Sequence, residues 1–172
     1  MFDYLPIAAV IDNKIFCIHG GLSPLIQKIS DIDKIHRFGD IPTEGPLADL
    51  MWSDPDHNVE GFKVSERGAG YVFGELVVDR FQHINNIETI VRAHQLCYDG
   101  FNILFEGKIV TVWSAPNYCN RFFNLASVLE VDENLGKNFN IFEDADRKVS
   151  NTELKQKTMM ELFANEADKY FQ

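Results

Sequence analysis

Three segments of the sequence share a design that can hold reactive side chains. In each, an apolar run ends, a polar or ligand-type residue follows, and a turn begins. They are Ile18-His19-Gly20-Gly21, Val91-Arg92-Ala93-His94-Gln95 and Trp113-Ser114-Ala115-Pro116-Asn117-Tyr118-Cys119. A strand end holds a side chain rigidly and leaves its tip accessible, as many metal and catalytic sites require. His19 and His94 offer imidazole nitrogens to a metal, but they are far apart in the chain and match no closely spaced Cys/His zinc pattern. Each also suits a hydrogen-bonded structural histidine. Arg67 lies in Ser65-Glu66-Arg67-Gly68-Ala69-Gly70, where small neighbours allow a ligand to approach. A planar guanidinium grips phosphate through paired hydrogen bonds; the same residue also suits a solvated loop.

Cysteine chemistry is a weaker signal. Cys17, Cys97 and Cys119 cannot all pair within one chain, and Cys17 sits in the apolar run Ile15-Phe16-Cys17-Ile18. The expectation is a reducing, intracellular compartment. A cysteine-dependent phosphate loop at Cys119 would need an arginine at position 125, where Leu125 stands.

The elements that must position these residues are mainly strands. Residues 7–11 and 14–18 are apolar around the turn pair Asp12-Asn13, so they read as two strands with His19 at the exit. Residues 30–38 read as a helix through Ile32, Ile35 and Phe38, and residues 47–51 as one short helical turn. Residues 54–70 are polar and Gly-rich and read as a long functional loop. Residues 75–84 read as a helix with Val77, Phe81 and Ile84 on one face. Thr89 to Arg92 is a strand leading into His94. Residues 101–105 and 108–113 flank Glu106-Gly107, a two-residue hairpin signal, and residues 125–131 and 138–142 form a second strand pair. Ser150 and Glu153 have capping-box spacing, so a helix is expected within residues 151–164.

Composition limits the function classes. The chain has 172 residues, of which 45% are hydrophobic and 24% charged, a globular balance consistent with one domain. Sixteen basic against 26 acidic residues give a net charge of −10. That argues against nucleic acid, which needs a basic footprint, and against an anionic membrane surface. The aliphatic run at residues 7–11 is far short of the roughly 20 residues of a membrane span, and Met1-Phe2-Asp3-Tyr4 lacks the positive flank of a signal peptide.

Six segments in order carry a family resemblance. They are Phe2-Asp3-Tyr4-Leu5-Pro6, Ile18-His19-Gly20-Gly21-Leu22-Ser23-Pro24, Met51-Trp52-Ser53-Asp54-Pro55, Arg67-Gly68-Ala69-Gly70-Tyr71-Val72-Phe73-Gly74, Val91-Arg92-Ala93-His94-Gln95-Leu96 and Ser114-Ala115-Pro116-Asn117-Tyr118-Cys119. Together they resemble the C-terminal half of the phosphoprotein phosphatases, in the subgroup of phosphatase 2A, 4 and 6 catalytic subunits. His83-Ile84-Asn85-Asn86 and Val112-Trp113 lean toward the phosphatase 6 branch.

The resemblance implies an α+β calcineurin-like metallophosphatase fold, a β-sandwich with flanking helices, of which only the C-terminal half is present. Residues 1–143 would be that half-domain and residues 144–172 a charged tail. It implies hydrolysis of phosphoserine and phosphothreonine by hydroxide that two divalent ions (Mn, Fe or Zn) activate. His19 and His94 match metal ligands of one ion, Arg67 a phosphate-holding arginine, and Tyr118 a tyrosine overhanging the site. Arg92 and Gln95 match neighbours that orient His94. Phosphoprotein substrates and regulatory or scaffold subunits are the implied partners, in cytoplasm or nucleus.

The sequence also departs from the family. Its Gly-Asp-x-His-Gly, Gly-Asp-x-Val-Asp-Arg-Gly and Gly-Asn-His-Glu motifs, which carry the remaining metal ligands and the general acid, are absent. After Tyr118-Cys119 the subgroup's Tyr-Arg-Cys-Gly-Asn is replaced by Asn120-Arg121-Phe122-Phe123-Asn124, and its Tyr-Phe-Leu terminus by Tyr170-Phe171-Gln172. The chain alone is therefore expected to be inactive and to expose apolar surface. The alternative reading is a non-catalytic decoy that binds regulatory or scaffold subunits.

Overall fold

The computed structural model describes residues 2–145. The expected tail helix at 151–164, with nearly all of the tail, lies outside them. The chain divides into two compact units. Among the described residues, the first contains those up to His94 together with Ile103–Thr111; the second contains Gln95–Asn102 and those from Val112 to position 145.

The first unit is organised by parallel strand pairing. β1 (Ala8–Ile11) runs antiparallel to β2 (Ile15–Ile18) through a turn at Asp12 and Asn13, both with left-handed backbone. β2 then pairs in parallel with β6 (Thr89–Arg92), with Phe16 opposite Ile90 and Cys17 opposite Val91. β6 pairs in parallel with β8 (Ile109–Val112), and β7 (Phe101–Leu104) completes the sheet order β1-β2-β6-β8-β7. The central strands are nearly continuous in buried apolar residues, as parallel strands covered on both faces must be; Phe16, Ile90 and Ile109 are fully buried. β1 is one of the two edge strands and leaves Val10 and Ile11 exposed.

Two α-helices pack in this unit. α1 (Pro46–Trp52) starts with proline at a position whose N–H has no helical partner, and it buries Leu47, Ala48, Asp49 and Leu50. α2 (Glu75–Asn85) ends on Asn86 in the left-handed conformation that closes helices, with the Asn86 N–H donating to Gln82 O. Its buried positions are Val78 and Phe81, and Val77 packs partly buried against the core, so two of the three expected residues face inward while Ile84 is 39% exposed. Phe16, Leu22, Leu50, Phe73, Val78, Phe81, Ile90 and Phe105 belong to one core.

Three expectations need correction. The helix read over residues 30–38 is a 3-10 helix at Ile29–Lys34; Ile35 already has extended backbone, so of the three apolar residues only Ile32 lies in the helix. The loop read over 54–70 contains β3 (Asp54–Pro55) and β4 (Phe62–Val64), which pair with β5 (Tyr71–Phe73) in a separate three-stranded sheet. Such short strands leave little periodicity to read. The turn between β7 and β8 is a 3-10 turn, Phe105–Gly107, rather than a two-residue hairpin loop, and all three residues have positive φ.

In the second unit, β9 (Ala126–Val131) and β10 (Lys137–Phe142) form the expected antiparallel pair. The Phe101 ring stacks on Phe139 at 4.0 Å. Ser127 is fully buried; its N–H donates to Trp113 O and its Oγ to Gly100 O.

Candidate metal and phosphate site

His19 and His94 are neighbours because their strands are. β2 and β6 are adjacent, parallel and in register, so both chains leave the sheet at the same end. The Ala93 N–H donates to His19 O at 2.9 Å and extends the pairing beyond both strands. The imidazole rings lie 5.1 Å apart, edge to face. Carboxyl ends of parallel strands are a recurrent place for ligand sites.

The turn after His19 is seated on the C-terminal end of α1. Gly20 and Gly21 both donate their N–H groups to Leu50 O. A Cβ on Gly20 would stand 2.4 Å from the Met51 carbonyl carbon, and one on Gly21 2.4 Å from Cε1 of Phe73. The glycines therefore serve close approach. Ser23 Oγ donates to Asp49 Oδ2 at 2.6 Å, and both residues are buried. At the same C-terminal end of α1 the Trp52 indole meets His94 edge to face at 5.3 Å.

The chemistry of the two rings suits a metal ligand. His94 adopts φ of 68°, and its buried Nε2 has no hydrogen-bond partner among the described residues. Burial pushes its pKa down to about 4; the Asp54 carboxylate opposes that fall, and the charges of Arg92 and Arg67 reinforce it. His19 is also held below the ordinary imidazole value, first by desolvation and then by Arg92. Both rings are therefore neutral at pH 7, the form in which imidazole binds a divalent ion. An orphaned buried nitrogen beside a second neutral imidazole fits two positions around one ion. Among the described residues no group of three or more His, Cys, Asp or Glu is placed to hold a metal.

Arg67 sits in the same unit, in the turn between β4 and β5. Its Nε donates to Asp54 Oδ2 at 2.6 Å, and its Nη2 is buried with no partner among the described residues. The other Asp54 oxygen accepts from Arg92 Nη2 at 2.8 Å. Arg92 is wholly buried; its Nε donates to Gly20 O at 2.6 Å and its Nη2 also to Ser53 O. Its side chain thus reaches the turn after His19 and the segment after Trp52. Asp54 is not singled out by the sequence, although a carboxylate this deeply buried must be paired.

Tyr118 and Gln95 belong to the second unit. Tyr118 is exposed on a loop in which Asn117, Cys119, Asn120 and Phe123 all have positive φ. Buried Asn124 holds that loop: its Oδ1 accepts the Tyr118 N–H, and its Nδ2 donates to Ala115 O and Leu125 O. The Tyr118 ring packs edge to face on Trp113 at 4.8 Å. Gln95 is partly buried, and its carbonyl lies 3.5 Å from Cys97 Sγ.

Comparison with known proteins fixes the family. Residues 1–98 match the model of the calcineurin-like phosphoesterases. The chain belongs to the calcineurin-like phosphoesterase family. It is 53% identical over 151 residues to a protein phosphatase 2A catalytic subunit from Dictyostelium discoideum, covering 88% of this chain and 48% of that one. It is 50% identical over 143 residues to the serine/threonine-protein phosphatase 4 catalytic subunit of Kluyveromyces lactis, covering 83% and 46%. These identities support the phosphatase 2A/4/6 subgroup within the calcineurin-like phosphoesterases. A solved structure of a serine/threonine phosphatase from Saccharomyces cerevisiae with similarity to human phosphatase PP5 superposes with a TM-score of 0.77 at 33% identity, covering 85% of this chain and 49% of that one. The mixed strand and helix arrangement is thus part of the calcineurin-like metallophosphatase fold. The chain spans about half the length of the curated relatives it matches. A metallophosphoesterase family implies divalent metal ions.

Proposed function

We propose that this chain is the C-terminal half of a protein-serine/threonine phosphatase, and that it contributes His19 and His94 to one divalent ion and Arg67 to the substrate phosphate. The observation that carries the reading is the pairing of two neutral imidazoles at adjacent parallel strand ends, in the unit that also holds Arg67; His94 Nε2 and Arg67 Nη2 are buried and have no hydrogen-bond partner among the described residues. Two ions, drawn from Mn, Fe and Zn, would serve the complete site; imidazole suits several such metals.

When bound, the ions supply Lewis acidity and neutralise phosphate charge. The chain's own residues do the rest of what falls to this half. His19 and His94 stay unprotonated across the neutral range and keep their rings fixed by the β2–β6 pairing and by Trp52. Arg67 offers a charged donor to a phosphate oxygen and stabilises the charge that shifts onto it during displacement. Arg92, in the same unit, would support His94; Tyr118 and Gln95 keep only the roles that the family resemblance implies. Substrates would be phosphoproteins, selected with regulatory or scaffold subunits, in the cytoplasm or nucleus.

Two imidazoles without a carboxylate bind a divalent ion weakly, so this chain by itself should not turn over substrate. The test joins the first half of the Dictyostelium relative to this chain and assays phosphoserine and phosphothreonine peptides with Mn2+. The chimera should release phosphate and lose that activity with Arg67→Ala, while residues 1–172 alone release none. An inactive, folded and metal-loaded chimera would overturn the enzyme reading. Turnover by the chain alone that disappears with His94→Ala would overturn its inactivity.

A further inference from the structure

We propose that Asp54 is a positioning residue: it fixes the Arg67 guanidinium for phosphate by serving as the shared acceptor between Arg67 and buried Arg92. This rests on the reading of Arg67 as a phosphate ligand. Each Asp54 oxygen has its own arginine: Oδ2 accepts from Arg67 Nε at 2.6 Å and Oδ1 from Arg92 Nη2 at 2.8 Å. The Asp54 side chain is 7% exposed and the Arg92 side chain 0%. Arg92 in turn donates to the carbonyls of Gly20 and Ser53. A continuous set of charge-assisted hydrogen bonds therefore runs from the residue after His19 to the guanidinium of Arg67.

The arrangement answers a specific difficulty. Arginine has a long side chain with several rotatable bonds, and a ligand that must align it forfeits affinity to the lost freedom. Holding Nε on Asp54 aligns the planar group beforehand. It also leaves Arg67 Nη2 buried and without an acceptor among the described residues, a state that costs free energy until an acceptor arrives. A phosphate oxygen would be that acceptor.

Charge counting and positioning predict opposite results. Two guanidinium groups and one carboxylate leave one net positive charge, and Asp54→Asn raises it to two. If Asp54 acted only as a nearby negative charge, its removal would tighten anion binding. If it positions Arg67, binding weakens despite the extra positive charge.

The test titrates inorganic phosphate into residues 1–172 by calorimetry at pH 7 for the wild type, Asp54→Asn, Arg67→Ala and the double variant. Asp54→Asn should weaken phosphate binding about tenfold, as expected for one misaligned charge-assisted hydrogen bond. The double variant should bind no worse than Arg67→Ala, because Asp54 acts through Arg67. Equal or tighter binding by Asp54→Asn overturns the positioning role and leaves the Arg67 reading standing. Absence of phosphate binding by the wild type overturns both. If Asp54→Asn does not fold, the wild-type Arg67 Nε–H resonance decides: it should stay at its Asp54-bonded position at saturating phosphate, and a shift showing transfer to phosphate overturns the proposal.

Discussion

The Ala93 N–H donates to the His19 carbonyl at 2.9 Å, one residue past the end of each buried strand. This bond aligns the two chain exits, so that residues remote in sequence present their rings 5.1 Å apart. The turn after His19 and the segment after Trp52 are joined through Arg92. The candidate metal ligands and the candidate phosphate ligand therefore depend on the same few buried hydrogen bonds.

The buried ion pair should be a stability element as well as a site element. Arg92→Ala leaves the Asp54 carboxylate short of one partner at 7% exposure. Removal of one member of a buried pair costs about 3–5 kcal/mol. Urea denaturation should show a loss of that size for Arg92→Ala. Arg67→Ala, which removes a partly exposed arm, should cost clearly less.

The close seat of the His19 turn on α1 predicts an intolerant glycine. Gly20→Ala places a Cβ 2.4 Å from the Met51 carbonyl carbon, which is backbone and yields little. The expected cost is about 1–3 kcal/mol, read by denaturant titration. Gly61→Ala, whose Cβ would meet nothing within 4 Å, is the control and should be close to neutral.

Stability should fall as pH drops from about 6.5 toward 4 through His94. Its folded pKa is depressed to about 4 by burial, against about 6.5 when unfolded. Below 6.5 the unfolded chain therefore takes up a proton that the folded chain refuses, and the slope of stability with pH is positive. His94→Gln removes this contribution while leaving all carboxylates in place. A flatter stability profile between pH 6.5 and 4 in that variant, measured by thermal melting, is the expected outcome.

Exposed apolar surface predicts weak stability for the chain in isolation. Val10 and Ile11 on edge strand β1 are each 40% exposed, and Val128 and Ile141 on β9 and β10 are 47% and 50% exposed. Residues 1–172 should bind a hydrophobic dye and melt broadly, below about 45 °C, the lower end of the range for ordinary domains. A sharp transition well above that temperature without dye binding would contradict this.

Much of the framework is legible in the sequence because its signals are local. The runs at 7–11 and 14–18, the turn at Asp12-Asn13 and the strand before His94 all appear where apolar runs and turn residues indicate. The His19–His94 contact is not legible from spacing, because parallel pairing is long-range and leaves no periodic trace. Motif order points to it instead. Asp54 is hidden for a related reason: its importance arises from burial between two arginines that approach from separate segments. The three-stranded sheet of β3, β4 and β5 is equally hidden because strands of two or three residues, in a Gly-rich stretch, look like loop.

The central claim, that His19 and His94 act together on one divalent ion, is tested most directly by Trp52, whose ring lies 5.3 Å from that of His94. In a Trp113→Phe background Trp52 is the remaining tryptophan, and titration with paramagnetic Co2+ reads metal at the imidazoles as fluorescence quenching. The account predicts weak but saturable quenching that is lost equally in His19→Ala, His94→Ala and the double variant. Quenching that persists in His94→Ala, or is absent from the parent chain at all Co2+ concentrations, would contradict it.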